Sequence, residues 1–158
     1  PGAVRDDANQ YCRSQGLPAL VEAIAEHTTP LMGRTINPMT EVGVCVGATE
    51  ALFGAMQAFV EPGDEVIVLE PAYDAYVPDI RIAGGTPVGI PLRPVAGAEA
   101  AADGSRRVDD VYSLDVDELR ARITPRTRAI VLNTPHNPTG KVFSRAELEA
   151  VADVLREH

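Results

Sequence analysis

The residues best suited to chemistry lie in one stretch, Asn133-Thr134-Pro135-His136-Asn137-Pro138-Thr139-Gly140-Lys141, which brings together amide, imidazole, hydroxyl and amine groups. Its two prolines fix φ on either side of the His136-Asn137 pair, and Gly140 permits a left-handed backbone. A turn so constrained can aim one carboxamide, that of Asn137, which both donates and accepts hydrogen bonds. Taken alone, the stretch is equally consistent with a stiff connection. Two other short turns carry complementary chemistry. Gly47-Ala48-Thr49 consists of small residues ahead of a helical pattern, and such a turn admits an anion to free backbone N–H groups at the positive end of a helix dipole. The Thr49 hydroxyl adds a donor, although a close-packed turn with Thr49 as an ordinary cap also explains the pattern. It is neither a GxGxxG run nor a P-loop. In Pro71-Ala72-Tyr73, the ring of Tyr73 offers a face for stacking on a planar ligand, or simply a packing tyrosine. A phosphate seat, a stacking ring and an amide together describe a site for a phosphorylated aromatic molecule.

These turns need elements to hold them. Ala129-Ile130-Val131-Leu132 is an apolar run of strand length before the Asn133 turn, and Ser144 with Glu147 forms a capping box that opens a helix after it. The same grammar recurs upstream. Val42-Gly43-Val44-Cys45-Val46 and Val66-Ile67-Val68-Leu69 read as strands buried on both faces, and Thr49–Val60 reads as a largely apolar helix. Helical spacing of Leu20, Val21, Ile24 and Ala25 follows Gly16-Leu17-Pro18, with Pro30 expected to kink or end that helix. A short helix spans Tyr73–Ala83, with Pro78 tolerable only in its first turn. Residues 86–92 make a strand that Pro87 and Pro91 push toward a sheet edge. A loop without periodicity covers 94–110, and Asp115-Val116-Asp117-Glu118-Leu119 begins another helix. Buried strands alternating with helices predict an α/β fold: an open, mostly parallel sheet with helices on both faces. Ligands then sit outside the carboxyl ends of the strands, where the three turns fall.

Composition narrows the function. The 158 residues carry a formal net charge of −9 and no basic cluster denser than Arg106-Arg107, which argues against nucleic acid or anionic membranes as partners. No apolar stretch approaches the length of a membrane span. Cys12 and Cys45 stand far apart, outside any CxxC spacing. Cys45 is expected in the core, no disulfide is expected, and a reducing, cytoplasmic setting is the default. Opening at Pro1 in mid-pattern and stopping inside a helical pattern, the sequence reads as a fragment of a longer chain. Of its 14 basic residues only Lys141 is a lysine.

The ordered set Asn9-Gln10-Tyr11 with Gly16-Leu17-Pro18, Val46 through Leu52, Pro62 through Val66, Glu70-Pro71-Ala72-Tyr73 with Tyr76, and Asn133 through Phe143 closely resembles the fold-type I, pyridoxal-phosphate-dependent aminotransferases of class I/II. The resemblance covers almost the whole chain and looks closest to the branch of kynurenine, methionine and N-succinyldiaminopimelate aminotransferases. It implies that residues 1–158 form part of the large, cofactor-binding domain, with 1–40 a lead-in segment and helix and 41–158 the βα units of the sheet. It further implies pyridoxal 5′-phosphate as cofactor, amino acids and 2-oxo acids as substrates, no metal, and a homodimer when intact. The backbone of Ala48 and Thr49 would hold the cofactor phosphate, and Tyr73 would stack on its ring. Asn137 would bind the ring's 3-hydroxyl oxygen and help seat the substrate carboxylate. Asn133 would line the same pocket, and Tyr11 would reach the phosphate of a partner subunit's cofactor. His136 takes no catalytic role.

No catalytic residue is assigned within the chain, because the family's Schiff-base lysine, its aspartate against the pyridine nitrogen and its substrate arginine all lie beyond His158. Lys141 occupies the lysine of the family's NPTGK run and is expected to point to solvent. The loop at 94–110 looks longer than the family's. Other enzymes on the scaffold, a C–S lyase or an aminocyclopropane-carboxylate synthase, share these motifs. The effector domain of an aminotransferase-like transcription regulator is built on the same fold, but typically alters the Asn-Pro-Thr-Gly turn that is intact here.

Overall fold

The structure, a computed structural model, describes residues 2–6, 10–95 and 111–158; Asn9 and most of the 94–110 loop lie outside the described residues. The chain divides into two compact units, Pro1–Ala51 and Leu52–His158.

In the first unit a short helix α1 (Gly2–Arg5) precedes α2 (Pro18–Met32). Pro18 stands where a missing N–H costs nothing, and the carbonyl of Leu17 accepts from Leu20 and Val21 at 2.9 and 3.1 Å. Val21 and Ala25 bury one face. Pro30 does not end this helix: α2 continues to Met32 and stops at Gly33, which is left-handed with φ 64°. Pro30 lies in the last turns on the exposed side, where water can satisfy the carbonyl its ring deprives of a donor.

The strand expected at Val42–Val46 is not formed. No residue there belongs to a strand, Cys45 is exposed rather than in the core, and Val46 is 89% exposed. An apolar run becomes a buried strand only where a neighbour takes its backbone groups and another layer covers it. Here the Val44 N–H goes instead to the carbonyl of Gln15, at 2.8 Å. The Val44 side chain packs on Gly16, where a Cβ would lie 2.8 Å from Val44 Cγ2, and Gly16 itself has φ 120°. The segment is thus a local clasp on the Arg13–Gly16 bridge. The division between the units falls within α3 (Gly47–Phe59), the apolar helix predicted from Thr49.

The second unit contains the sheet. β1 (Glu65–Glu70) lies between β2 (Thr86–Pro91) and β5 (Thr127–Val131), all parallel, in the order β2-β1-β5. Ile67 pairs with Val88 on one side and Ile130 on the other. Successive β1 side chains feed opposite layers. Ile67 and Leu69 join Ile90, Leu119, Phe143, Val151 and Val154, whereas Val66 and Val68 join Met56, Val60, Tyr76 and Ile80. Helices therefore cover both faces: α5 (Val116–Arg122) and α6 (Arg145–Glu157) on one, the C-terminal part of α3 and α4 (Tyr76–Ile82) on the other. Among the described strands β2 is at the edge, as its prolines predict, and Pro78 falls in the first turn of α4. The ends of the 94–110 loop are joined by two short antiparallel strands, β3 (Arg93–Pro94) and β4 (Tyr112–Ser113).

Caps explain the helix starts. Asp115 Oδ1 accepts from the N–H groups of Asp117 and Glu118, both at 3.0 Å, and Ser144 with Glu147 closes the predicted capping box on α6. At the amino end of β1 the buried Glu65 carboxylate accepts from Thr124 Oγ1 at 2.6 Å and from the Arg126 guanidinium. Those donors hold Glu65 below the usual carboxylate range. Among the described residues no helix is long and apolar enough to cross a membrane.

Candidate cofactor site at the carboxyl edge

Two of the predicted turns leave the carboxyl ends of β1 and β5 within the second unit. After β1, the chain passes a cis Glu70–Pro71 bond and reaches Tyr73, half-buried, with its ring edge-on to Tyr76 at 5.7 Å and 77°. Burial, and the neighbouring Tyr73, raise the Tyr76 hydroxyl above its ordinary pKa, so it stays protonated in the layer beneath. Glu70, Pro71, Tyr73, Asp74, Val77 and Pro91 line an open depression of about 580 Å³. The Glu70 carboxylate lies over Gly89 of the neighbouring strand, where a Cβ would come within 2.5 Å of it.

After β5 the turn is bonded chiefly to itself. Asn133 Oδ1 accepts from the Asn137 N–H at 2.9 Å, and Thr134 Oγ1 accepts from Phe143 N–H at 3.1 Å. The His136 N–H donates to the Lys141 carbonyl at 2.8 Å, and the Gly140 N–H donates to the His136 carbonyl at 2.6 Å. Gly140 has φ 73°, and Thr134–Pro135 and Asn137–Pro138 are both cis. These bonds make residues 137–140 a closed excursion whose base is the His136–Lys141 pair, with Asn137 exposed at its start. His136 is buried under the loop, its Nδ1 2.8 Å from Thr139 Oγ1 and its ring also engaged with the Leu69 backbone. These contacts tie the turn to β1.

Burial lowers the pKa of His136 against a smaller opposing pull from the Leu69 carbonyl, so the ring is neutral in the fold. A histidine depressed in the folded state contributes stability that is complete above its ordinary value near 6.5 and is lost as pH falls through the lower, folded value. Urea midpoints should therefore fall between pH 7 and pH 5 in the wild-type chain and stay flatter in His136→Gln. Parallel pH curves for the two proteins would contradict this. Further acid loss, below the ordinary carboxylate value near 4.5, is expected from Glu65 and Glu147, both depressed.

Lys141 departs from expectation. Its side chain is only 1% exposed and pairs through Nζ with Glu147 Oε1 at 2.7 Å, with the ammonium 4.9 Å from the Phe143 ring centre. Glu147 Oε2 meanwhile accepts from Ser144 N–H at 2.8 Å and Oγ at 3.0 Å. Burial alone would raise Glu147; the Lys141 ammonium and the Ser144 donors outweigh it and hold the carboxylate below its usual range. The sequence signal was present in the single lysine ahead of the capping-box glutamate, but spacing alone did not show that one carboxylate serves both.

The remaining predicted residues belong to the first unit. Tyr11 is fully exposed. Ala48 and Thr49 are exposed in the first turn of α3, which begins at Gly47 with φ 82°; the Gly47 N–H donates to Cys45 O at 2.9 Å, and the Val46 N–H donates to the Glu50 carboxylate. Among the described residues no cluster of His, Cys, Asp or Glu could hold a metal ion.

A parallel sheet clothed on both faces, with polar turns leaving its carboxyl edge, defines an open-sheet α/β protein. The family model "Aminotransferase class I and II" matches residues 3–158, and the chain belongs to that family. It is 47% identical over 150 residues to kynurenine–oxoglutarate transaminase 1 of Rattus norvegicus, covering 95% of this chain and 34% of the rat protein. Kynurenine–oxoglutarate transaminase of Dictyostelium discoideum is 43% identical over 150 residues, covering 95% of this chain and 34% of that protein. Among solved structures, N-succinyldiaminopimelate aminotransferase from Mycobacterium tuberculosis superposes with a TM-score of 0.84 at 42% identity, covering 97% of this chain and 36% of that one. YbdL from Escherichia coli, identified with a methionine aminotransferase function, gives 0.85 at 36% identity, covering 99% and 37%. The chain thus spans about a third of the length of the curated relatives it matches.

Proposed function

We propose that these residues are the phosphate and ring-facing part of a pyridoxal-phosphate-dependent amino-acid aminotransferase, which moves an amino group from an amino acid to a 2-oxo acid. The observation that carries the reading is the family match across residues 3–158 together with the intact Asn133–Lys141 turn and its exposed Asn137. The donor set suits the cofactor. Ala48 and Thr49 are small and exposed at the first turn of a thirteen-residue helix, where backbone donors and dipole favour a phosphate. Glu50, the acidic residue of that turn, is already engaged with the Val46 N–H. Tyr73 supplies a ring for stacking, and Asn137 a carboxamide for the 3-hydroxyl oxygen and the substrate carboxylate. Asn133 would line the same pocket and also holds the backbone N–H of Asn137. Tyr11, whose ring is fully exposed, would serve the site of a second copy in a cytoplasmic homodimer.

When bound, the cofactor supplies an electron sink for the substrate's α-carbon. This chain's residues would bind its phosphate, orient its ring and fix its oxygen. None is the base that moves the proton, since the only lysine is buried in an ion pair with Glu147.

The test uses two preparations. Protein at the length of its relatives should show visible absorbance from bound pyridoxal phosphate and convert amino acid and 2-oxo acid to the exchanged pair. The 158-residue chain, freed of host enzymes, should transfer no amino group. Release of ammonia and thiol would favour a C–S lyase instead. A well-folded protein of relatives' length that binds no pyridoxal phosphate would sink the proposal.

A further inference from the structure

Lys141 is the only lysine in the chain and among its most deeply buried side chains. Burying an ammonium is unfavourable unless it is paired with good geometry and its partner's remaining lone pairs are satisfied. Both conditions hold. Nζ meets Glu147 Oε1 at 2.7 Å, Oε2 of the same carboxylate accepts from the backbone and hydroxyl of Ser144, and the ammonium lies over Phe143. One carboxylate therefore joins the exit of the turn to the cap of α6.

The backbone of Lys141 makes the second half of the connection. Its carbonyl accepts from His136 N–H at 2.8 Å and its N–H donates to Thr139 Oγ1 at 3.2 Å, the same hydroxyl that meets His136 Nδ1. Lys141 thus closes the base of the 137–140 excursion with its backbone and fixes that base to the helix with its side chain. Asn137 rides on the excursion, exposed, between Pro135 and Pro138. Two anchors add to that constraint: Asn133 from the strand side and Lys141 from the helix side.

We infer that Lys141 is a positioning residue: through its buried ion pair with the capping carboxylate of Glu147 it locks the turn that aims Asn137 at the cofactor. The inference rests on the proposed cofactor role of Asn137. The lysine is fixed by the site's architecture and is not available as its reacting amine.

Two measurements test it. The first follows amide hydrogen exchange in the 158-residue chain for wild type, Lys141→Met, Glu147→Gln and the double variant. Removing one partner of a buried pair strands the other, so exchange at His136, Asn137 and Gly140 should accelerate at least about tenfold in each single variant. Amides of Val66–Leu69 should stay at wild-type rates, and the double variant should be no worse than the singles, because both act through one interaction. Unchanged exchange in the turn overturns the inference, as does acceleration spread equally over β1. If Lys141→Met does not fold, Glu147→Gln alone decides, since it keeps shape and removes only the charge. The second measurement uses protein of relatives' length with pyridoxal phosphate bound, and follows the pH at which the visible cofactor band titrates. Lys141→Met and Glu147→Gln should move that pH in the same direction as Asn137→Ala. A band that Asn137→Ala moves and these two leave fixed overturns the positioning role. Failure of every protein to bind pyridoxal phosphate would overturn the functional reading, and the exchange comparison would still judge the lock.

Discussion

Ile67→Ala should lose about 3 to 4 kcal/mol of stability, within the range measured for large-to-small changes at fully buried positions. That is a large share of the roughly 5–15 kcal/mol that holds a typical domain together. Ile67 is fully buried in the central strand, paired with Val88 and Ile130, and its side chain enters the layer built by Leu119, Phe143, Val151 and Val154. Hydrogen-bonded strands on both sides cannot collapse into the space left behind, so the cavity adds to the lost transfer free energy. Urea unfolding, with the midpoint compared at constant slope, gives the value. Val46→Ala, at a residue 89% exposed, should stay within about 0.5 kcal/mol of wild type. A midpoint for Ile67→Ala indistinguishable from that of Val46→Ala would contradict the assignment of β1 as the central, buried strand.

Ile67 and Val46 lie in runs that look alike in sequence, and the contrast marks where pattern reading succeeds. Val66–Leu69 and Val42–Val46 are both short apolar runs bounded by breakers. The first is a strand because β2 and β5 take its backbone groups on either side and helices cover both faces. Among the described residues the second pairs with no strand and spends its Val44 N–H on Gln15. Hydrophobicity shows that a run can be buried; pairing partners from elsewhere in the chain decide whether it is. Local chemistry was more legible. The Ser144–Glu147 box, the acidic start at Asp115 and the proline-weakened edge strand depend on neighbours within a few residues, and each is found as read; the helix expected from Tyr73 starts instead at Tyr76, which puts Pro78 in its first turn. Lys141 fell between the two cases. Its partner is six residues away, within local reach, yet a lysine leaving a polar turn is usually solvated. Only the fold reveals that the Glu147 carboxylate has an oxygen to spare for it.

Asn137→Ala, in protein of relatives' length, should weaken pyridoxal phosphate binding by about ten- to a hundredfold, the value of a hydrogen bond to a charged oxygen, 1.5–3 kcal/mol. Stability of the turn should hardly change, because Asn133 Oδ1 receives the backbone N–H of residue 137, which alanine keeps. Asn133→Ala should behave differently. It removes the acceptor that orients residue 137, so cofactor affinity and local stability should fall together, the latter by about 1 kcal/mol. The sharper comparison is Asn137→Asp. Its size matches asparagine, but the carboxylate donates nothing and would face the cofactor's oxygen with like charge, so binding should be weaker than in the alanine variant. Fluorescence titration with pyridoxal phosphate, alongside urea midpoints for the same proteins, separates the cases. If Asn137→Asp binds as tightly as wild type, Asn137 is not a donor to the cofactor. The turn would then be what its backbone alone suggests, a stiff joint between β5 and α6.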